Sequence, residues 1–260
     1  MKVKGQTIAI TGGASGIGFA TAERIIADGG NVAVIDANAQ AAEDAASRLD
    51  GGERALGLCA DVTDAAAIST SLEAVVARFG RLDGLVASAG IRQSSVRVAD
   101  MSAEVWERTL KVDLGGTFLT CQAAARIFGK AGSGGSIVTV ASLSGHSPRV
   151  GQAAYCAAKA GVIALTKVLS LELAAQNVRV NCVCPGTTVT PFNSEALKRE
   201  GEQGVQARIE GDTKQYRPGI PLRRLAEARD IAGSIAFLLS DDARHITGIE
   251  LFIDGGESVF

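Results

Sequence analysis

The chain has 260 residues, 47% hydrophobic and only 4% aromatic, with 31 glycines and a formal net charge of −2. This length holds one large α/β domain or two small ones, with ample chain to bury a core. Near-neutral charge, with no block of Lys and Arg, leaves no global field to draw nucleic acid or an anionic membrane, so neither partner is expected.

The first predicted strand, 7–11, follows Met1-Lys2-Val3-Lys4-Gly5 and is too short for the apolar core of a signal peptide. No later run is read as long enough to span a membrane, so a cytoplasmic protein is expected. Next comes Thr11-Gly12-Gly13-Ala14-Ser15-Gly16-Ile17-Gly18, running into a helix over 18–28. Glycines there let the chain turn tightly and let a pyrophosphate approach peptide N–H groups at the positive end of the helix. Three glycines alone are a weak signal; between a strand and a helix they sit where a nucleotide motif belongs. The second strand, 31–36, ends at Asp36, the position of an acid that bonds adenosine ribose hydroxyls and repels the extra phosphate of NADP. Ala14, Ser15, Ala37 and Asn38 supply no neighbouring cation, so the register favours NAD. Asp36 can also cap a helix over 37–49, and the two roles are compatible.

Strands over 55–60 and 84–88 and helices over 65–79, 104–112 and 118–128 follow. The run 129–135 reads as a flexible loop ahead of a strand over 136–142, which ends at Ser142. A long helix over 153–175 leads to a strand over 177–184, whose Cys182 and Cys184 share one face. Five dispersed cysteines, no Cys-x-x-Cys and only His146 and His245 argue against a metal site and for buried, reduced thiols. The polar stretch 187–221 is the least regular part, read as a substrate lid or as an ordinary surface excursion. A helix over 228–239 and a strand over 248–254 close the pattern. Strands that are apolar throughout, alternating with helices, predict a single Rossmann-like α/β domain, a doubly wound parallel sheet of about seven strands in three layers.

Tyr155 and Lys159 lie four apart on the predicted helix and project from one face. A tyrosine titrates near pH ~10, and bringing it close to neutrality takes about 4 kcal/mol of differential stabilisation. A neighbouring ammonium and the positive nicotinamide of NAD act in that direction. Tyr155 is then expected to take the proton of an alcohol while hydride leaves the same carbon. The pair in isolation reads as structural; downstream of Ser142 and a nucleotide turn it reads as catalytic.

These motifs, with Asp61-Val62, Ala89-Gly90, Tyr155-Cys-Ala-Ala-Lys159, Asn181-Cys-Val-Cys-Pro185-Gly186 and Ile253-Asp254-Gly255-Gly256, resemble the short-chain dehydrogenase/reductase family along the whole chain. The resemblance implies that Ser142 holds the substrate oxygen, Tyr155 is the acid/base, and Lys159 binds the nicotinamide ribose and tunes Tyr155. It implies cofactor contacts for Gly12, Ser15, Gly16, Ile17 and Gly18 in the turn, and for Asp36. Asp61 and Val62 would flank the adenine, Ala89 and Gly90 would border the ribose, and Pro185, Gly186, Thr188 and Thr190 would position the nicotinamide. Thr190 can equally cap a following helix. Two departures stand out. Ala87-Ser88-Ala89-Gly90 replaces the family's Asn-Asn-Ala-Gly, and Val112-Asp113-Leu114 puts an aspartate where the family has the asparagine of its catalytic set. The resemblance implies that Asp113 takes that catalytic place, holding a water of the proton relay near Lys159 through its backbone carbonyl; Asp113 can also cap the next helix, or its charge can instead alter Lys159. Homo-oligomers are common in the family, so a tetramer or dimer is expected through the helices over 118–128 and 153–175.

The segment 145–155, Gly145-His-Ser-Pro-Arg149-Val-Gly-Gln-Ala-Ala-Tyr155, is similar to that of 2,3-dihydro-2,3-dihydroxybenzoate dehydrogenases, which oxidise a ring alcohol with NAD. On that reading Arg149, or alternatively Arg92, meets a substrate carboxylate; both can also be solvated surface arginines. His146 is expected in a loop, outside the chemistry. Sugar or polyol dehydrogenases, and 3-oxoacyl carrier-protein reductases, are the competing readings. A sensor that binds nucleotide without catalysis is disfavoured, since Ser142, Tyr155 and Lys159 are all present.

Overall fold

The computed structural model describes residues 3–259. Its main sheet has seven parallel strands in the order β3-β2-β1-β4-β5-β6-β9. The strands are β1 (Thr7–Thr11), β2 (Asn31–Asp36), β3 (Ala55–Cys59), β4 (Gly84–Ala87), β5 (Gly135–Val140), β6 (Val178–Pro185) and β9 (Glu250–Ile253). Successive side chains enter opposite cores. Ile8 and Ile10 pack with Val32, Val34 and Val138 under α1 (Gly16–Ala27) and α8 (Ala228–Leu239). Ala9 packs with Ile35, Leu85 and Ile137 under α3 (Ala65–Phe79) and α5 (Thr117–Ala131). Covering both faces requires strands without an exposed polar side, which is why they read as continuous apolar runs.

The winding reverses between β1 and β4, which lie side by side although β2, β3 and three α-helices separate them in sequence. Such a reversal opens a crevice at the carboxyl ends of the strands, where ligands bind in this architecture. The short helix α2 (Ala39–Arg48) begins beyond β2, and α6 (Ala153–Glu172) runs from that crevice along the sheet. With 20 residues, α6 is long and apolar enough to cross a membrane, contrary to expectation. Half of its most apolar stretch is buried in the core, which accounts for that composition.

Three elements differ from the sequence reading. The run 129–135, expected as a flexible loop, is shorter as a loop, because α5 continues to Ala131 and β5 begins at Gly135. The helices expected over 104–112 and 118–128 form one continuous rod: α4 (Ala103–Leu110) passes through a π-helical stretch, Lys111–Gly116, into α5. The stretch 187–221 is more ordered than expected, holding β7 (Thr188–Val189), paired with β8 (Ala226–Glu227), and the 20-residue α7 (Pro191–Glu210). Gly201 breaks α7 with φ 64 and ψ −171. That interruption, and a helix on which only Ala196 is buried, leave no apolar stripe to be recognised. Of the five cysteines, Cys59 is exposed and the other four buried, so the expectation of buried thiols fails at β3, an outer strand of the sheet. Cys182 and Cys184 do share a face, their sulfurs 3.9 Å apart.

Candidate active site

A cavity of about 990 Å3 occupies the crevice. Its first end is the glycine turn. Ser15 stands at the N-cap of α1 in extended backbone, yet its hydroxyl caps nothing, so the first N–H groups of the helix remain open to an anion. Gly12, at φ +64, lies so close to the loop after β4 that a Cβ would fall 2.7 Å from the Ala89 Cα. Gly12, Ser15, Gly16 and Ile17 line the cavity, whereas Gly18 does not. A Cβ on Gly18 would sit 2.3 Å from the Gly12 carbonyl oxygen, so this glycine shapes the turn from behind.

Asp36 lines the same end. Its Oδ2 accepts from the Ala14 N–H at 3.4 Å and its Oδ1 from the Asn38 N–H at 3.2 Å. The cap of α2 is Asn38, whose side chain accepts from the Ala41 N–H, and the capping role considered for Asp36 falls away. The sequence reading also missed Arg48, which reaches back from α2 to donate to the Ala14 carbonyl at 3.4 Å and stacks over Phe19. Arg48 lies outside the cavity lining, while Asp36 lies on it. Asp61, Val62, Ala89 and Gly90 follow along the wall, and Pro185, Gly186, Thr188 and Thr190 face them. Thr190 occupies the N-cap of α7 without a side-chain cap bond, leaving its hydroxyl for other partners. These donors fit a dinucleotide: an uncapped helix N-terminus, backbone approach that only glycine permits, and an acid at the end of β2.

Ser142, Tyr155 and Lys159 meet at the centre of the cavity. Ser142 follows β5 and fixes its own turn by accepting from the Ser144 N–H. Tyr155 sits in the first turn of α6, and its N–H donates to Gln93 Oε1 at 2.9 Å. Gln93 is only 3% exposed and donates its amide to the Gly151 carbonyl, so a residue from the β4 loop caps α6 beneath the tyrosine. No spacing rule could reveal this contact, because 62 residues separate the partners. Lys159 is buried; its Nζ donates to the Val140 carbonyl at 3.0 Å and lies 5.7 Å from the Tyr155 ring centroid. Phe192, from the first turn of α7, approaches the same ring at 6.1 Å between centroids.

Asp113 is fully buried behind this centre, off the cavity wall, held in the π-helical stretch. Its Oδ1 accepts from the Ile91 N–H at 2.7 Å, while Oδ2 has no hydrogen-bond partner among the described residues. Gly90 separates it from Lys159: a Cβ there would lie 3.3 Å from Asp113 Oδ1 and 3.6 Å from Lys159 Nζ. Burial pushes the Asp113 carboxyl above its usual range, against the opposing pull of Lys159 and the Ile91 N–H. Burial likewise pushes the Tyr155 phenol up; Lys159 and Ser142 pull it down, and Asp113 pushes it further up. The lowering expected from Lys159 is therefore present but outweighed in the protein alone.

Beyond Tyr155 the cavity is walled by Arg92, Arg149, Arg208 and Arg217 with Glu200 and Glu257. Arg149 is neither solvated nor free: its Nη2 donates to Glu257 Oε1 at 2.6 Å, and Arg217 Nε donates to the same oxygen at 3.2 Å. Glu257 is only 1% exposed. His146 lies off the cavity, edge-on to Phe252.

Residues 12–258 match the family model described as enoyl-(acyl carrier protein) reductase. The chain is 38% identical to D-threitol dehydrogenase of Mycolicibacterium smegmatis, over 99% of this chain and 95% of that protein. It is 36% identical to 2,3-dihydro-2,3-dihydroxybenzoate dehydrogenase of Bacillus subtilis, over 99% and 97%. The crystal structure of 3-ketoacyl-(acyl-carrier-protein) reductase from Brucella melitensis, complexed with NADH, superposes with a TM-score of 0.87 at 31% identity, covering 98% of this chain and 99% of that one.

Proposed function

The chain belongs to the short-chain dehydrogenase/reductase family, oxidoreductases of CH–OH and carbonyl groups, and within it we propose an NAD-dependent dehydrogenase of a ring alcohol or dihydrodiol. The observation that carries this reading is the convergence of Ser142, Tyr155 and Lys159 on one cavity with an uncapped helix N-terminus and Asp36. Asp36 favours NAD over NADP because its carboxylate lines the cavity where the added phosphate would come, and Arg48 stands outside it. NAD bound there supplies the hydride acceptor.

The residues of the chain then divide the remaining work. The Ser142 hydroxyl holds the substrate oxygen, and Tyr155 Oη takes the hydroxyl proton as the carbon is oxidised. Lys159, fixed to the Val140 carbonyl by one N–H, keeps two donors for the cofactor ribose and places positive charge beside the phenol. Asp113 braces the Gly90–Ile91 turn and opposes ionisation of Tyr155. Thr188 and Thr190 hold the nicotinamide end, and α7 serves as the lid, bringing Phe192 against Tyr155.

A polyol is the second reading, favoured by the similarity to D-threitol dehydrogenase. We further propose a homo-oligomer, supported by exposed Phe118 on α5 and Val168 and Leu171 on α6, and, from the sequence reading, a cytoplasmic location. The test is NADH absorbance with a panel of ring alcohols, dihydrodiols and polyols, run with NAD and with NADP. NADH formation from ring alcohols is expected. Turnover with NADP alone, or with no alcohol in the panel, would end this reading.

A further inference from the structure

Four arginines and two glutamates wall the far end of the cavity, and they are not equivalent. Arg149 and Arg217 are both bound to Glu257, and Arg217 also donates to the Thr187 hydroxyl. Arg208 holds Glu200 through Nε and Nη2, within the lid helix. Arg92 is the exception: half-buried on the loop after β4, it has no hydrogen bond or ion pair among the described residues, whereas Arg108 and Lys111, the other cavity cations without such a partner, are exposed. Its neighbours in sequence fix its place. Ile91 is tied to Asp113 and Gln93 to the backbone of Tyr155, so Arg92 projects from a loop anchored at both sides to the reacting centre.

We propose that Arg92 is the receptor for an anionic head group on the substrate, a carboxylate or sulfonate, held between the β4 loop and the lid helix α7. The inference rests on the dehydrogenase reading above and narrows it from ring alcohols in general to ring alcohols that carry an acid. A half-buried guanidinium has lost part of its hydration, and here the field of Arg208 and Arg199 disfavours its charge further, only partly offset by Glu200 and Glu195. An incoming anion relieves both penalties at once and finds a planar fork suited to two parallel hydrogen bonds. A neutral polyol does neither. Asp36 and Asp61, the acids of the cofactor end, line the opposite part of the cavity, so a substrate with an acid at one end has one electrostatically favoured orientation.

The relation to named relatives sharpens the choice, because one acts on a carboxylated ring diol and another on an uncharged tetritol. Of the two acid anchors that the sequence offers, Arg149 and Arg92, Glu257 already occupies Arg149.

The test uses the full-length protein saturated with NAD and titrated calorimetrically with benzoate, benzenesulfonate and benzamide. Benzoate or benzenesulfonate should bind at least about tenfold tighter than benzamide, the value of a charge-assisted pair. Whichever acid binds tighter identifies the head group. Arg92→Gln should abolish that preference and Arg92→Lys should restore part of it, with thermal midpoints of both variants near that of the parent. Equal binding of all three probes, no binding of either acid, or a preference that survives Arg92→Gln would overturn the proposal. NADH formation is measured in parallel. Turnover of neutral ring alcohols without acid preference overturns the anion site and leaves the dehydrogenase reading standing. Acid binding through Arg92 without turnover of any alcohol does the reverse.

Discussion

Replacing Glu257 with alanine tests whether the buried triad at the end of the cavity holds the fold together. The carboxylate is 1% exposed and the two guanidiniums it binds are 15% exposed, so solvent screens these contacts weakly. Glu257→Ala leaves Arg149 and Arg217 beside each other without the carboxylate that binds both, and removing one member of a buried pair costs about 3–5 kcal/mol. For a chain of this length each kcal/mol moves the thermal midpoint by about 2 °C, so a fall of about 6–10 °C is expected. The assay is thermal unfolding followed by circular dichroism, with Arg149→Ala, Glu257→Ala and the double variant completing a cycle. The double variant should be less destabilised than the sum of the two singles, because the second change removes a cation already stranded. A midpoint within 2 °C of the parent, or strict additivity, would refute the assignment of stability to this triad.

Gly18→Ala should lower both stability and NAD affinity although Gly18 does not line the cavity, because its Cβ meets backbone at 2.3 Å. Overpacking of this kind costs about 1–3 kcal/mol, and a shift in midpoint together with weaker NADH fluorescence titration would show it. Asp113→Asn removes a negative charge that raises the Tyr155 phenol. Since alcohol oxidation needs the phenolate, the rising limb of kcat/KM against pH should move to lower pH; an unmoved limb or an upward shift counts against the charge effect. Asp36→Ala should lower the ratio of kcat/KM for NAD to that for NADP by at least about tenfold, the scale of one charge-assisted hydrogen bond together with relief of charge repulsion. A ratio that does not change would remove Asp36 from cofactor choice.

The sheet was legible because a parallel strand covered on both faces must be apolar along its length, and Thr7–Thr11, Asn31–Asp36 and Gly84–Ala87 satisfy that locally. The glycine turn and the Tyr155–Lys159 spacing were legible for the same reason, as short-range patterns. What escaped were contacts closed only by the fold. Gln93 caps α6 from 62 residues away, and Glu257 reaches Arg149 across 108. Arg48 returns to Ala14 across 34 residues, so inspecting the immediate neighbours of Asp36 could not find it. The helix α7 escaped because Gly201 interrupts it and little of it is buried. The direction of Tyr155 ionisation depended on burial and on Asp113, neither visible in a four-residue spacing.

The most direct test of the chemistry is a single-turnover measurement with Tyr155→Phe. The variant keeps the ring that meets Phe192 and loses only Oη, so NAD binding should hold. NADH formation from a ring alcohol that the parent oxidises should slow by about a hundredfold to ten-thousandfold, the range for loss of a general base. A phenylalanine variant that reduces NAD at the parental rate would contradict proton transfer through Tyr155.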